Sequence, residues 1–257
     1  MTFTNFVHEG VRSVHVDNFG SGSISVEPGP RPDAVEGSLN MSSDRDLEEV
    51  AIRCEADQLR ISLPQPSARS TPAHLRLGVP ADLAYTVRAG SATITFSADI
   101  ASAKISSGSG DVSVERAGEL DCTTGSGSVA VGRLLGRGAR IHTGSGDVTV
   151  AEARCPVTAK SGSGDVLIRT LHQADLAASS GSGDISVPFT SGSVDLRSAS
   201  GSLTVGVADD LKVWLDLHSA SGPIRIALEA SPEPGPGEPY ISVRARTASG
   251  EIAVYRA

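Results

Sequence analysis

Short apolar–polar–apolar triplets recur along most of the chain and predict half-buried β-strands, because side chains of a strand alternate between two faces. The triplets begin with Ile94/Phe96, Val112/Val114, Val129/Val131, Val148/Val150 and Val166/Ile168. They continue with Ile185/Val187, Leu203/Val205, Ile224/Ile226 and Ile252/Val254. The apolar members of all nine triplets are expected to point into one core.

A Gly-rich corner precedes each triplet. Its fullest form, Ser/Thr-Gly-Ser-Gly-Asp, occurs in segments 107–114, 143–150, 161–168 and 180–187. Looser copies occupy 124–131, 200–205, 221–226 and 249–254. The last glycines of successive corners are 17 to 21 residues apart, except for 28 residues before Gly250. Self-similarity near 20 residues is typical of a solenoid.

Second alternating segments lie between the triplets, such as Ala139/Ile141, Leu176/Ala178 and Val194/Leu196. One such unit cannot bury its apolar side alone, but stacked units form a continuous core. The sequence therefore predicts an all-β solenoid of about nine coils with two strands per coil. An antiparallel β-sandwich is the alternative, since it produces the same alternation.

The two ends of the chain depart from the repeat. Residues 1–80 are expected to form an irregular antiparallel β cap, and residues 81–257 the repeat solenoid. A Pro/Gly-rich loop at 231–239 interrupts the last coil. Ile252 and Val254 lie on the final strand, which we expect to be an uncapped edge open to strand pairing.

Composition narrows the function classes. The net charge of −8 argues against nucleic acid as a partner. The N-terminal residues show no signal-peptide pattern, and no run of 18 apolar residues exists, so we expect a cytoplasmic chain without direct membrane insertion. The three cysteines show no metal-ligand spacing, and no cofactor is expected.

Two groups of residues are candidate sites. Asp147, Asp165 and Asp184 recur at the corners, so stacking would bring them about 4.8 Å apart. They either cap backbone N–H groups of the turns or share a cation such as calcium. Trp214 falls on the outward side of its strand, where it either anchors an interface or packs under the 231–239 loop. No catalytic residue spacing is present.

The strand around Leu59 and Ile61, the segment 75–80 that ends in Val-Pro, and the Ser-Gly-Ser-Gly-Asp-Val repeats resemble a bacterial putative-adhesin family of unknown function. The resemblance spans nearly the whole chain and is tightest over 75–254. It implies a β-solenoid with an adhesive or scaffolding role, and it supplies no catalytic residues. Relatives in that family are often linked to the cell envelope and anchored to the membrane.

These observations favour a non-enzymatic scaffold or interaction protein. It would bind a protein partner or associate with itself through the solenoid edges. The alternative is a carbohydrate-binding or carbohydrate-active β-helix protein. That function calls for a cleft with aromatic residues and paired carboxylates, whereas only 4% of the residues are aromatic.

Overall fold

The computed structural model describes residues 2–41, 47–64, 72–209, 211–228 and 240–257. The predicted loop at 231–239 lies outside these residues. The chain forms two compact units, Met1–Ser128 and Val129–Ala257. Residues 81–128 belong to the same unit as the predicted cap.

The described residues of the first unit form ten strands. They are β1 (Thr2–Glu9), β2 (Ser13–Phe19), β3 (Gly22–Pro28), β4 (Ala34–Met41), β5 (Ala51–Glu55), β6 (Gln58–Ser62), β7 (Ala73–Val79), β8 (Leu83–Ala89), β9 (Thr93–Ser107) and β10 (Val112–Thr124).

Parallel and antiparallel pairing divide this unit. β1 pairs antiparallel with β4, β4 with β7, and β5 with β6. The expectation of an antiparallel cap over residues 1–80 is wrong for β2 and β3, which lie in this range but pair parallel with their neighbours. The other pairings of the described strands in this unit are parallel. On one side of the coils β7 pairs with β3 and β3 with β9; on the other side β6 pairs with β2 and β2 with β8. The long strand β9 continues both sides and pairs with β10.

In the second unit, twelve strands occur outside residues 210 and 229–239. They are β11 (Val129–Thr143), β12 (Val148–Ala153), β13 (Val157–Ser161), β14 (Val166–Leu171), β15 (Leu176–Ser180), β16 (Ile185–Thr190), β17 (Val194–Ser198), β18 (Leu203–Val207), β19 (Lys212–Ser219), β20 (Ile224–Ala227), β21 (Tyr240–Thr247) and β22 (Ile252–Arg256).

Two parallel ladders build this unit. Ladder A runs β11–β12–β14–β16–β18–β22–β20. Ladder B runs β11–β13–β15–β17–β21–β19. The predicted solenoid with two strands per coil is confirmed, and the antiparallel sandwich is excluded because neighbouring strands of the repeat are parallel.

The ladders do not follow the order of the chain at their far end. β21 and β22 lie between the β17/β18 coil and the β19/β20 coil. Among the described strands, the last coil in space is therefore β19/β20, although it comes before β21/β22 in sequence. We call β19 and β20 the edge coil.

Aliphatic columns fill the interior of the second unit, as the triplets predict. In ladder A, Val148, Val166, Ile185 and Leu203 occupy one column and are buried. Each sits directly opposite the next in the parallel register. Stacking of identical positions gives a continuous apolar core that no single coil could form.

Candidate interaction surface at the edge coil

The core columns of ladder A end in exposed side chains. Ile252 is 0% exposed, whereas Ile224, the next residue in its column, is 42% exposed. Val254 is 1% exposed, and Ile226 beside it is 52% exposed. Ile224 and Ile226 thus have the residue type and the register of core positions, but only one neighbouring strand among the described residues.

The backbone of β20 is also open on one side. The Pro223 carbonyl accepts a hydrogen bond from the Ile252 N–H at 3.0 Å, so this position faces β22. Because the polar groups of successive strand residues point to opposite sides, those of Ile224 and Ile226 point away from β22. Such outward-facing groups can pair with a further strand.

β19 is the strand that the edge coil contributes to ladder B. Its inward residues Val213, Leu215 and Leu217 are half-buried, unlike Ile241 and Val243 beside them on β21, which are buried. Among the described strands, β19 pairs only with β21.

Aromatic residues stand on the outward face of ladder B at this end. Trp214 is 44% exposed, and Tyr240, on the adjacent strand and two positions away in register, is 54% exposed. Trp214 lies on the outward side of its strand, as the alternation predicts. Large exposed aromatic side chains are frequent anchors of protein interfaces.

A cluster of charged residues adjoins Trp214. Asp216 accepts hydrogen bonds from Arg246 at 2.9 Å and from Arg244 at 3.0 Å. These bonds, that from Arg246 first, hold the pKa of the Asp216 carboxyl below its usual value. Asp216 is therefore a carboxylate at neutral pH, fixed on the outward face of the edge coil.

The final strand is not the edge that the sequence suggested. β22 pairs with β18 on one side and β20 on the other, and Ile252 and Val254 are buried. The expectation that these two residues lie at an open edge is wrong, because the last coil in sequence is inserted before the last coil in space.

The corner aspartates cap the following coil. Oδ1 of Asp147 accepts the N–H of Asp165 at 2.9 Å, and Oδ1 of Asp165 accepts the N–H of Asp184 at 2.8 Å. Asp184 does the same for Ser202 at 2.7 Å. No group of three His, Cys, Asp or Glu residues that could hold a metal ion occurs among the described residues. The geometry thus matches the capping interpretation of these three candidates.

The first residue of each corner has a structural role that sequence reasoning missed. The Ser161 hydroxyl accepts the Gly164 N–H at 2.8 Å and donates to the Gly146 carbonyl of the preceding coil at 3.1 Å. Corner hydroxyls that accept the N–H three residues further on recur in both units, and all but the half-buried Ser219 are buried. They belong to Ser107, Thr124, Thr143, Ser161, Ser180, Ser198, Ser219 and Thr247. The constant Ser or Thr at this position is the sequence signal.

The hydroxyl contacts independently confirm the coil order. Thr247 donates to the Gly201 carbonyl at 3.1 Å, and Ser219 donates to the Gly250 carbonyl at 3.1 Å. A Cβ on Gly250 would collide with the Gly201 carbonyl, and one on Gly222 with the Gly250 carbonyl. The corners stack so closely that only glycine fits there.

Residues 58–255, which include all of these corners, match the family model described as Toastrack DUF4097. The chain belongs to the Toastrack family. The family match agrees with the resemblance to a putative-adhesin family of unknown function, although it does not address the Ser-Gly repeats.

Solved structures share the Toastrack fold at low sequence identity. A putative adhesin from Parabacteroides merdae is 12% identical, with a TM-score of 0.55 and coverage of 98% of this chain and 95% of that one. A putative lipid binding protein from Parabacteroides distasonis is 14% identical, with a TM-score of 0.55 and coverage of 98% and 96%. At this identity the likeness shows the fold alone. No curated protein matches the sequence.

The Toastrack chain contains no helix, in its described part, that is long and apolar enough to cross a membrane. Of the predicted interface residues, only Trp214 lies on the edge coil. Ile224 and Ile226 were not predicted as interface residues, because an exposed core-type position looks identical to a buried one in a repeat. Tyr240 was not predicted either, although its alternation with Ile241 and Val243 is the signal for an outward position.

Proposed function

We propose that this Toastrack chain is a non-enzymatic, adhesin-like interaction protein that associates with itself through the edge coil. The observation that carries the proposal is the break in burial along the ladder A columns. The exposure of these positions rises from 0% at Ile252 to 42% at Ile224 within one coil.

The energetics favour covering this surface. Burying apolar surface lowers the free energy by roughly 25 cal/mol per Å² removed from water. A fully buried Ile side chain is therefore about 1.5–3 kcal/mol more favourable than an exposed one. Ile224 and Ile226 realise only part of that gain in the isolated chain. A partner strand laid on β20 would bury both and pair the outward-facing backbone groups.

The side chains around this surface suit protein recognition. Trp214, Tyr240 and Arg246 are of the three residue types that dominate binding energy at protein interfaces. They lie on the outward face of β19 and β21, where Tyr240 is two register positions from Trp214 in one direction and Arg246 four positions in the other. The proposed surface therefore joins an apolar strand edge to a rim that carries aromatic residues and charge.

The carbohydrate-active alternative has less support. Glycoside hydrolysis needs two carboxylates on either side of the scissile bond. A pocket of about 350 Å³ in the first unit is lined by Phe19, Arg88 and Ser107 among others, but by no Asp or Glu. We therefore retain the interaction function as the proposal.

Light scattering over a concentration series tests this function. We expect the mass of the wild-type protein to rise with concentration, and the variant Ile226→Lys to stay monomeric, because an inward-pointing lysine blocks strand addition. Val7→Lys is the matched control: Val7 is 50% exposed on β1, compared with 52% for Ile226, so the same change is made at a surface of the other unit. A wild-type protein that stays monomeric throughout would refute the proposal, as would equal loss of assembly in both variants.

A further inference from the structure

The strand β19 has the features of a self-complementary edge. Its outward row contains Lys212, Trp214 and Asp216, and its inward row contains Val213 and Leu215. Cation, aromatic residue and anion therefore follow one another at alternate positions, with aliphatic residues between them.

Two identical edges that meet form an isologous contact related by a two-fold axis. If the axis is perpendicular to the strand, the second copy of β19 runs antiparallel to the first. Residues directly opposite each other then have numbers with a constant sum, and the register is defined by the residue on the axis. A shift that moves the axis between two residues would place inward positions against outward ones, so the axis must pass through a residue.

The possible registers differ in charge. With Trp214 on the axis, Lys212 lies opposite Asp216 of the second copy, and symmetry repeats this pair. The same register sets Val213 opposite Leu215 and Trp214 opposite itself. Opposite charges and apolar pairs directly across from each other each stabilise an antiparallel ladder.

Neighbouring registers lack this match. With Leu215 on the axis, Trp214 lies opposite Asp216, and Lys212 lies opposite His218. With Asp216 on the axis, the two Asp216 carboxylates face each other, and like charges directly opposite are destabilising. Since Asp216 is held ionised by Arg246 and Arg244, this repulsion would persist at neutral pH.

We propose that two copies of the chain form a closed dimer in which β19 pairs antiparallel with β19 of the second copy, with Trp214 on the two-fold axis. This inference rests on the proposed function, and it adds the partner strand, the register and a limit of two copies. A contact of this symmetry uses the same surface on both chains and closes at a dimer, so this edge builds no filament.

Disulfide trapping reads the register directly. In a Cys54→Ser background, which removes the more accessible native thiol, single cysteines are placed at Trp214, Leu215 and Asp216. Residues opposite each other in an antiparallel pair have Cα atoms about 4.5–5.5 Å apart, within the range that a disulfide spans. In the proposed register the two copies of residue 215 are about 8 Å apart, and those of residue 216 about 14 Å.

We expect Trp214→Cys to give covalent dimers under mild oxidation, at a yield roughly tenfold above Leu215→Cys and Asp216→Cys, whose spacing exceeds the disulfide limit. Efficient trapping at 215 or 216 instead would overturn the register while leaving self-association intact. Association without trapping at any of the three positions would overturn the use of β19. A monomer at every concentration would overturn the proposed function as well.

Charge reversal supplies a second test that keeps Trp214. Lys212→Glu replaces two attractive pairs by two repulsive ones and should weaken the dimer about tenfold. Lys160→Glu on β13, which is paired on both sides, is the matched control and should leave the dimer unchanged. Equal affinity of the wild-type chain and Lys212→Glu, with both chains folded, would contradict the register.

Discussion

The buried hydroxyls of the corners give a stability prediction at Ser180. The Ser180 hydroxyl accepts the Gly183 N–H at 2.9 Å and donates to the Gly164 carbonyl of the preceding coil at 3.0 Å. The residue is 6% exposed. Replacing Ser180 with alanine removes both hydrogen bonds. The Gly183 N–H and the Gly164 carbonyl then lack this partner at a buried position.

The cost follows from these contacts. Leaving one buried polar group unsatisfied costs about 1–3 kcal/mol, so Ser180→Ala should destabilise by about 2–6 kcal/mol. Ser180→Thr keeps the hydroxyl and should destabilise less than Ser180→Ala, since threonine already occupies the equivalent corner position at Thr143. Ser179→Ala, one residue away on the same strand and only half-buried, is the control for loss of a serine hydroxyl.

Urea unfolding followed by circular dichroism measures the change, and hydrogen exchange at the Gly183 amide locates it. Stacked repeats can unfold in part, so the local measurement separates loss of one corner from global unfolding. We expect faster exchange at Gly183 in Ser180→Ala and a lower urea midpoint. If Ser180→Ala unfolds at the same midpoint as Ser179→Ala, the hydroxyl ladder does not stabilise the fold and the reasoning is refuted.

Two further predictions concern the coil order and the thiols. Ile252→Ala should destabilise by about 2–5 kcal/mol because it opens a cavity in the core, whereas Ile224→Ala, at a half-open position, should cost less than about 1 kcal/mol; equal effects in urea unfolding would contradict the placement of β22 inside the stack. Burial raises the pKa of the Cys122 thiol to about 12, so at pH 8 a thiol reagent should modify the half-buried Cys54 and leave Cys122 intact until urea is added. Because the folded pKa is raised, Cys122 stabilises the fold below its unfolded pKa near 8.5, and this contribution should decline as the pH rises towards 12; rapid native modification of Cys122 would show that it is not buried.

The sequence predicts the strands and corners of this fold well, because each coil repeats the same local chemistry. Val148 and Val150 alternate with polar residues, and the preceding Gly-Ser-Gly-Asp corner fixes where the strand begins. Stacking then follows from the need to bury one face. These features depend on neighbours within about 20 residues, and local patterns express them directly.

The coil order could not be predicted in the same way. Ile224-Arg225-Ile226 and Ile252-Ala253-Val254 have the same pattern, so either could be the inner or the outer coil. The choice depends on which strand β18 pairs with, a contact between distant segments that leaves no periodic signal. The 28-residue spacing before Gly250 is the one local hint, since a long connection allows the chain to pass one coil before rejoining the stack.

The exchanged order has a consequence for binding. In the second unit the edge coil is an internal segment of the chain: β18 precedes it in sequence, β21 follows it, and both strands are paired within the stack. When the edge coil detaches, the released segment is still held at both ends, so it gains less conformational entropy than a segment of the same length held at one end. The same exchange occurs in the first unit, where β2 and β3 lie between the β6/β7 and β8/β9 coils. Tying an exposed edge at both ends keeps Trp214 and Ile226 ordered before a partner arrives, which lowers the entropic cost of association.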